Sequence, residues 1–451
     1  MTNYYELNPS QEVVKLQCKY TLFKRVINII SAMEFDTAFD LEIMKKAFNE
    51  VVKRNDCLRL RFKKVNKELK QYFVESDNFD TIPYKEFKTE KEQKAFFDKL
   101  AKRAIKYKKG VVVEPYFIKT FDGKYLVLIK VCHLILDIYG IHIIFDDLFN
   151  VYTALKEGKE LPPEPTKFED VIKKDLETKH SEIRAKKNKE FFDNYFVGKD
   201  EPYYAGLHGK ESELWRKQLD KGKRSAKMYF LRNDTTGYVH RIDKDTIDKV
   251  VEYSKQSKIS IANILFYLSC LCASRMNGNV RNMLPLELCN CRATNTEKKC
   301  AGTKVQSLGC YTVLDYDKPF SENLTEFVNS QNQLYRHIDF SDQEFEMLVH
   351  KTYVSSMLET YYPLTFSLIP YRQAEGYNFK IYSNGKGALI AYLALLYDID
   401  KGVIDMAYDV QDKMISEDDV LRYHKNYIAV INQAMDNPSI ALGDVKIDIK
   451  E

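Results

Sequence analysis

The chain has 451 residues, 45% of them apolar and 30% charged, a composition for a globular protein with a sizeable core. That length suits two or three ordinary domains or one two-lobed unit. Its 69 basic and 65 acidic residues nearly cancel, for a formal charge of +4, which argues against nucleic acid as a partner because a binder carries a clear basic excess.

Met1 to Leu7 has no basic stretch followed by an apolar core, so no signal peptide is expected. Val26 to Met33 predicts a strand. Leu41, Met44, Ala47, Phe48, Val51 and Val52 recur at helical spacing behind Asp40, a good N-cap residue. Leu58, Leu60 and Phe62 alternate as on a half-buried strand, which puts Arg59 and Arg61 on its other face. Tyr116–Phe121 and Lys124–Cys132 flank Asp122-Gly123, a strong hairpin signal. The second of these strands is almost wholly apolar, so it should be central, and it delivers His133 to its end. Ile141, Ile144, Phe145, Leu148, Tyr152 and Leu155 then predict a helix. His133 and Asp137 therefore sit on a strand–loop–helix connection, a common place for chemistry.

Leu161-Pro-Pro-Glu-Pro165 breaks regular structure, and a highly charged helix-like stretch follows. The expected division is an N-terminal lobe over 1–175, a charged crossover over 176–228 and a C-terminal lobe over 229–451. In the last of these, strands are predicted at Tyr238–Ile242, Met283–Leu288, Leu308–Tyr316, Leu364–Ile369, Lys380–Ser383, Ala388–Tyr397 and Val403–Asp409. Helices are predicted over Asp245–Ser254, Glu322 to about His337 and Asp342–Val349. Ser260 caps a buried helix over Ile261–Met276, with Gly278 placed to end it. The apolar run Ile261–Ala273 is shorter than the roughly 20 residues of a bilayer span, so no membrane span is expected. Ser416 with Asp419 opens a final amphipathic helix to about Met435.

Nine scattered cysteines, an odd number, read as reduced thiols of a cytoplasmic protein. Cys289, Cys291, Cys300 and Cys310 lack the Cys-x₂₋₄-Cys pairs of a structural zinc site, so no metal is expected. Cys132 and His133 are strand neighbours and point to opposite faces, a poor arrangement for a thiol nucleophile and its base. There is no phosphate-binding loop, dinucleotide fingerprint or Gly-x-Ser-x-Gly elbow. A histidine with a pKa near neutrality suits the work of a general base.

Several segments resemble, in order, those of the condensation domains of nonribosomal peptide synthetases, members of the chloramphenicol acetyltransferase-like superfamily. Leu7-Asn-Pro-Ser-Gln11 is similar to the opening "L-(S/T)-P-x-Q"; Cys57-Leu-Arg-Leu-Arg-Phe62 to "L-R-x-x-F", with Gln71 after it; and Cys132-His-Leu-Ile-Leu-Asp-Ile-Tyr-Gly140 to "H-H-x-x-x-D-G". Cys291-Arg292 is similar to the end of the "G-R" segment, Ser307 to Leu314 to "I-G-x-F-x-N-x-L", and Asn437-Pro438 to the tail. Cys132 stands where the motif has its first His and Ile138 where it has Gly, while Gly140 lies two residues on.

The resemblance implies an α/β (α+β) fold of two lobes in a V shape with an active-site tunnel between them. It implies His133 as the catalytic residue and Asp137 as a structural residue, salt-bridged to Arg59. Cys132, Ile138, Gly140, Arg292, Ser307, Tyr311 and Thr312 are candidates for the tunnel wall. Arg292 has a second reading as a surface arginine, and Ser307, Tyr311 and Thr312 as plain strand residues. The implied function is transfer of an acyl or aminoacyl group from a carrier-protein phosphopantetheine thioester to an amine or hydroxyl, with no bound cofactor. An acyl-CoA donor is a variant; a catalytically silent module that recruits a protein partner is the alternative from another class. The lysines of Lys173–Lys189 and Arg216–Lys227 are either a solvated face or a docking surface for an acidic carrier protein.

Overall fold

The apolar strand Tyr125–Cys132 is the centre of a five-stranded sheet in a computed structural model, which describes residues 3–19, 21, 23–209, 222–228, 233–353, 355–356, 358–371, 376–387 and 389–448. The sheet order is Asn378–Tyr382, Asn28–Phe35, Tyr125–Cys132, Val113–Lys119, Tyr84–Glu86. All neighbours are antiparallel except the last pair. Gly123, with φ of +83°, turns the Asp122-Gly123 hairpin. Leu126 and Leu128 face the helix Glu90–Lys102, packed with Ile30, Ile118 and Leu100. Lys130 falls on the same face and is wholly buried; its ammonium donates to the carbonyls of Leu100 (3.2 Å) and Arg103, closing the C-terminal end of that helix. Two helices, Leu41–Arg54 and Ile138–Glu157, also pack together in this unit and bury Met44, Phe48, Val51, Ile144, Phe145 and Leu148. Asp40 caps the first, accepting from the N–H groups of Glu42 and Ile43.

The chain divides into two compact units, but not at 175 and 228. One comprises Met1–Arg184, Asn290–Gln306 and Gln373–Lys386; the other Ala185–Cys289, Ser307–Arg372 and Gly387–Glu451. Among the described residues, two helices, Phe168–Lys179 and Glu182–Tyr195, run into and through the start of the charged crossover, and they fall mainly to different units. Residues 210–221, including the start of the Arg216–Lys227 run, lie outside the described residues.

The second unit holds a mixed sheet in the order Val305–Gly309, Leu286–Asn290, Thr365–Tyr371, Ala391–Asp398, Val403–Gln411, Thr235–Ile242. Leu286–Asn290, Thr365–Tyr371 and Ala391–Asp398 run parallel to one another, and the next two strands pair antiparallel. Ser260 caps the buried helix Ile261–Met276, and the capping box of Ser416 and Asp419 opens Glu417–Asp436. Tyr423 and Tyr427 of this last helix donate to the carbonyls of Ser269 (3.2 Å) and Leu265 (2.8 Å).

Three expected elements shift. Val26 and Ile27 belong to a 3₁₀ turn, Lys24–Ile27, and the strand runs Asn28–Phe35. The Met283–Leu288 strand is two pieces, because Pro285 between Asn282–Met283 and Leu286–Asn290 has no N–H for a ladder. Leu308–Tyr316 is likewise Val305–Gly309 and Thr312–Val313. Among the described residues no single helix is long and apolar enough to cross a membrane.

Candidate active site

His133 follows the last residue of the central strand, and its backbone is held from two sides. Its N–H donates to the carbonyl of Ile27 (2.8 Å) and its carbonyl accepts from Thr303 Oγ1 (2.6 Å). The half-buried ring places Nδ1 3.0 Å from the carbonyl of Leu136. A carbonyl only accepts, so the neutral ring carries its proton on Nδ1 and leaves Nε2 with a lone pair. Burial pulls the imidazole pKa below its ordinary value, against the opposing pull of Asp137.

Asp137 caps the helix Ile138–Glu157, with Oδ1 accepting from the N–H of Gly140 at 2.7 Å. The same carboxylate takes a fork from Arg292, Nη1 to Oδ2 at 2.9 Å and Nη2 to Oδ1 at 3.0 Å, and the N–H of Lys304 at 2.8 Å. Burial alone would raise its pKa, but the Arg292 charge and these donors hold it below the usual carboxylate range. The Arg292 side chain is 0% exposed and that of Asp137 8%. Arg292 also donates to the carbonyls of Cys300 (3.2 Å) and Gly302 (2.6 Å) and to Asn290 Oδ1 (2.9 Å).

The expected Arg59–Asp137 pair is therefore corrected to Arg292–Asp137. Arg59 ends a 3₁₀ turn, Asp56–Arg59, so strand alternation does not set its direction. Its guanidinium donates to the carbonyls of Val74 (2.7 Å), Glu75 (2.8 Å) and Val52 (3.3 Å). Arg292 is neither a surface arginine nor free for a substrate anion, since its fork is filled by Asp137.

Gly140 is buried where the helix meets another segment: an added Cβ would lie 2.8 Å from the Gly302 oxygen and 3.0 Å from its nitrogen. Ile138 is the first residue of the helix and is not among the described residues with positive φ, so its β-branch meets no backbone strain. Cys132 is wholly buried and burial pushes its thiol pKa up, which removes it as a thiolate. Ser307, Tyr311 and Thr312 lie in the second unit. Ser307 donates to Asp342, Tyr311 Oη to the carbonyl of Asp200 (2.9 Å) and Thr312 Oγ1 to that of Cys310 (3.0 Å).

Gln11 and Gln71 pair through their amides at 2.7 Å, and Gln11 also donates to the carbonyl of Leu134 at 2.9 Å. Two motif glutamines thus brace the loop after His133. Thr303 and Lys304 had no sequence signal: one contributes a hydroxyl, the other a backbone amide. The lysines over Lys173–Lys189 are largely ion-paired, Lys173 with Glu169, Lys174 with Glu297, Lys179 with Glu6, Lys186 with Glu190 and Lys189 with Asp193.

The family model described as Condensation domain matches residues 1–447. One of the plipastatin synthase proteins of Bacillus subtilis (strain 168) is 20% identical over 428 residues, 92% of this chain and 16% of that protein. Bacitracin synthase 3 of Bacillus licheniformis is 27% identical over 150 residues, 32% of this chain and 2% of that protein. The chain thus spans a small part of the synthases it matches. Among solved structures, the starter condensation domain of rhizomide synthetase in complex with C8-CoA superimposes with a TM-score of 0.80 at 13% identity, covering 99% of this chain and 98% of that one. The first condensation domain of the calcium-dependent antibiotic synthetase, in complex with a substrate analogue, gives 0.80 at 12% identity, covering 99% and 100%. The fold is the chloramphenicol acetyltransferase-like α/β fold of these domains, and the chain belongs to the condensation-domain family.

Proposed function

We propose that the chain is an acyltransferase that moves an acyl or aminoacyl group from a carrier-borne phosphopantetheine thioester to an amine, forming an amide. The observation that carries this reading is the tautomer of His133. With Nδ1–H committed to the Leu136 carbonyl, Nε2 is a hydrogen-bond acceptor. The amine attacks the thioester carbon while its proton passes to Nε2, the C–S bond breaks, and the proton leaves with the thiolate. Asp137 and Arg292 are positioning residues: they lock the loop and the helix start that follow His133, and neither has a free polar edge for chemistry. An acyl-CoA donor, suggested by the C8-CoA bound to the rhizomide domain, or a hydroxyl acceptor needs the same base. Ile138 sits in ordinary helical geometry, which removes backbone strain as a reason to read the site as silent.

The test is an intact-mass assay with loaded carrier proteins, acyl-CoA and a panel of amines. Turnover by the wild type should fall at least about 100-fold in His133→Ala, the usual scale of losing a general base. Equal turnover by the variant would rule out the assigned role. A wild type that binds loaded carriers yet transfers nothing would favour the recruitment module.

A further inference from the structure

The charge of the first unit is uneven, and the uneven part adjoins His133. From Lys99 to Lys109 the chain carries Lys99, Lys102, Arg103, Lys106, Lys108 and Lys109 and no carboxylate. Arg103 is taken by Glu114. The five lysines are exposed, and none forms an ion pair among the described residues, unlike the lysines of Lys173–Lys189.

Hydrogen bonds pin this segment to the end of the central strand. Asn28, the cross-strand partner of Cys132, donates Nδ2 to the Arg103 carbonyl (2.9 Å) and accepts from the Ile105 N–H (3.0 Å). The Val112 carbonyl accepts from the Cys132 N–H at 2.9 Å. His133 is the next residue, and its own N–H reaches Ile27, the end of the turn that Lys24 begins. Lys24 is exposed and rests its ammonium on the carbonyls of Cys18 (2.8 Å) and Thr21 (3.3 Å), with no carboxylate partner among the described residues. Lys24 and Lys108 both lie close enough to Cys18 for their charges to act on its thiol.

We infer that Lys24, Lys102, Lys106, Lys108 and Lys109 form the docking surface for an acidic protein that delivers the thioester to His133. This rests on the transfer reaction proposed above, whose donor is protein-borne. The cations are flexible lysines spread over a surface, without the forked arginine geometry of a fixed phosphate site, and so match a broad acidic face. Unpaired rim charges speed encounter and make it salt-sensitive. The chain as a whole, at +4, lacks the basic excess that a nucleic-acid track requires.

The experiment compares the wild type, Lys106→Glu/Lys108→Glu/Lys109→Glu, and Lys186→Glu/Lys189→Glu as a control of the same kind on an ion-paired helix. The probes are a panel of acidic carrier proteins bearing an octanoyl thioester, octanoyl-N-acetylcysteamine as a donor without a carrier, and an oligonucleotide matched in charge to the carriers. Binding is read by anisotropy at 20 and 200 mM salt, with circular dichroism to verify folding. The triple variant should bind carrier about tenfold or more weakly and lose most of the salt dependence, while its turnover of the N-acetylcysteamine donor stays within twofold. The double variant should match the wild type.

Unchanged carrier binding in a folded triple variant overturns the docking surface, as does a wild type that binds no carrier of the panel at 20 mM salt. Equal affinity for the oligonucleotide also overturns it. Salt-sensitive carrier binding that the triple variant loses, with no turnover of either donor, leaves the docking surface standing and removes the transfer reaction.

Discussion

Arg292→Ala would leave the Asp137 carboxylate buried without its counter-charge. Removing one partner of such a pair costs about 3–5 kcal/mol, and denaturant unfolding followed by fluorescence should show that loss. Arg292→Lys should recover only part of it, because an ammonium cannot reproduce the two-pronged contact. The double variant Arg292→Ala/Asp137→Asn should lose less than the sum of the single changes, since it no longer strands a charge. His133 yields a prediction in pH. Its lowered pKa keeps the ring neutral, and therefore a competent base, to below the ordinary histidine value of 6.5. The acid limb of kcat/KM should lie below pH 6.5; a limb at or above it would contradict the half-buried, neutral ring.

The strand–loop–helix connection works because its helix starts at a crowded point. Alanine is the better helix former by about 1 kcal/mol, so Gly140→Ala would stabilise an unpacked helix. Here the added methyl meets the Gly302 backbone, which has no flexible end to move aside. The net effect should be a loss of about 1–3 kcal/mol, measured as a lower unfolding midpoint, together with reduced turnover as the cap on Asp137 shifts. The same segment explains why Gly302 is glycine: its φ is +121° and a Cβ would overlap the Phe168 ring. Helix starts were the most legible elements. Asp40, Ser260 and Ser416 each read as a cap from sequence, and each accepts a backbone N–H in the fold. Short-range chemistry decides a cap within three residues, so the signal stays local. The strand at Met283–Leu288 was less legible, since apolar periodicity does not register a proline break.

Neither unit is one continuous stretch of chain. Residues 290–306 return to the first unit to supply Arg292, Gly302, Thr303 and the Lys304 amide, and Asn378–Tyr382 adds an edge strand beside Asn28–Phe35. A fragment ending at residue 228 contains His133 and Asp137 but none of these partners. It should show poor amide dispersion by NMR and a cooperative transition that is weak or absent, and native-like spectra from it would contradict this account. Composition placed the boundaries at 175 and 228 because it senses the charged, proline-broken stretch between them. It cannot sense two returns of the chain, one held by buried contacts such as Arg292–Asp137 and the other by a strand pairing.

Local patterns in the chain were enough for the family, the central strand, the hairpin turn, the helix caps and the position of His133 at a strand end. Each rests on residues close in sequence or on motifs in fixed order. The partner of Asp137 needed the fold, because residues 137 and 292 are separated by most of a lobe and a surplus of arginines offered equally good charge. The tautomer of His133 needed it too, since a carbonyl three residues away becomes its partner only once the loop has closed. Which lysines remain unpaired was likewise set by folding: Lys173–Lys189 looked the more basic run, but its own carboxylates and those of Glu6 and Glu297 neutralise it. Charge in a sequence is a count, while free charge on a surface is what three-dimensional pairing leaves over.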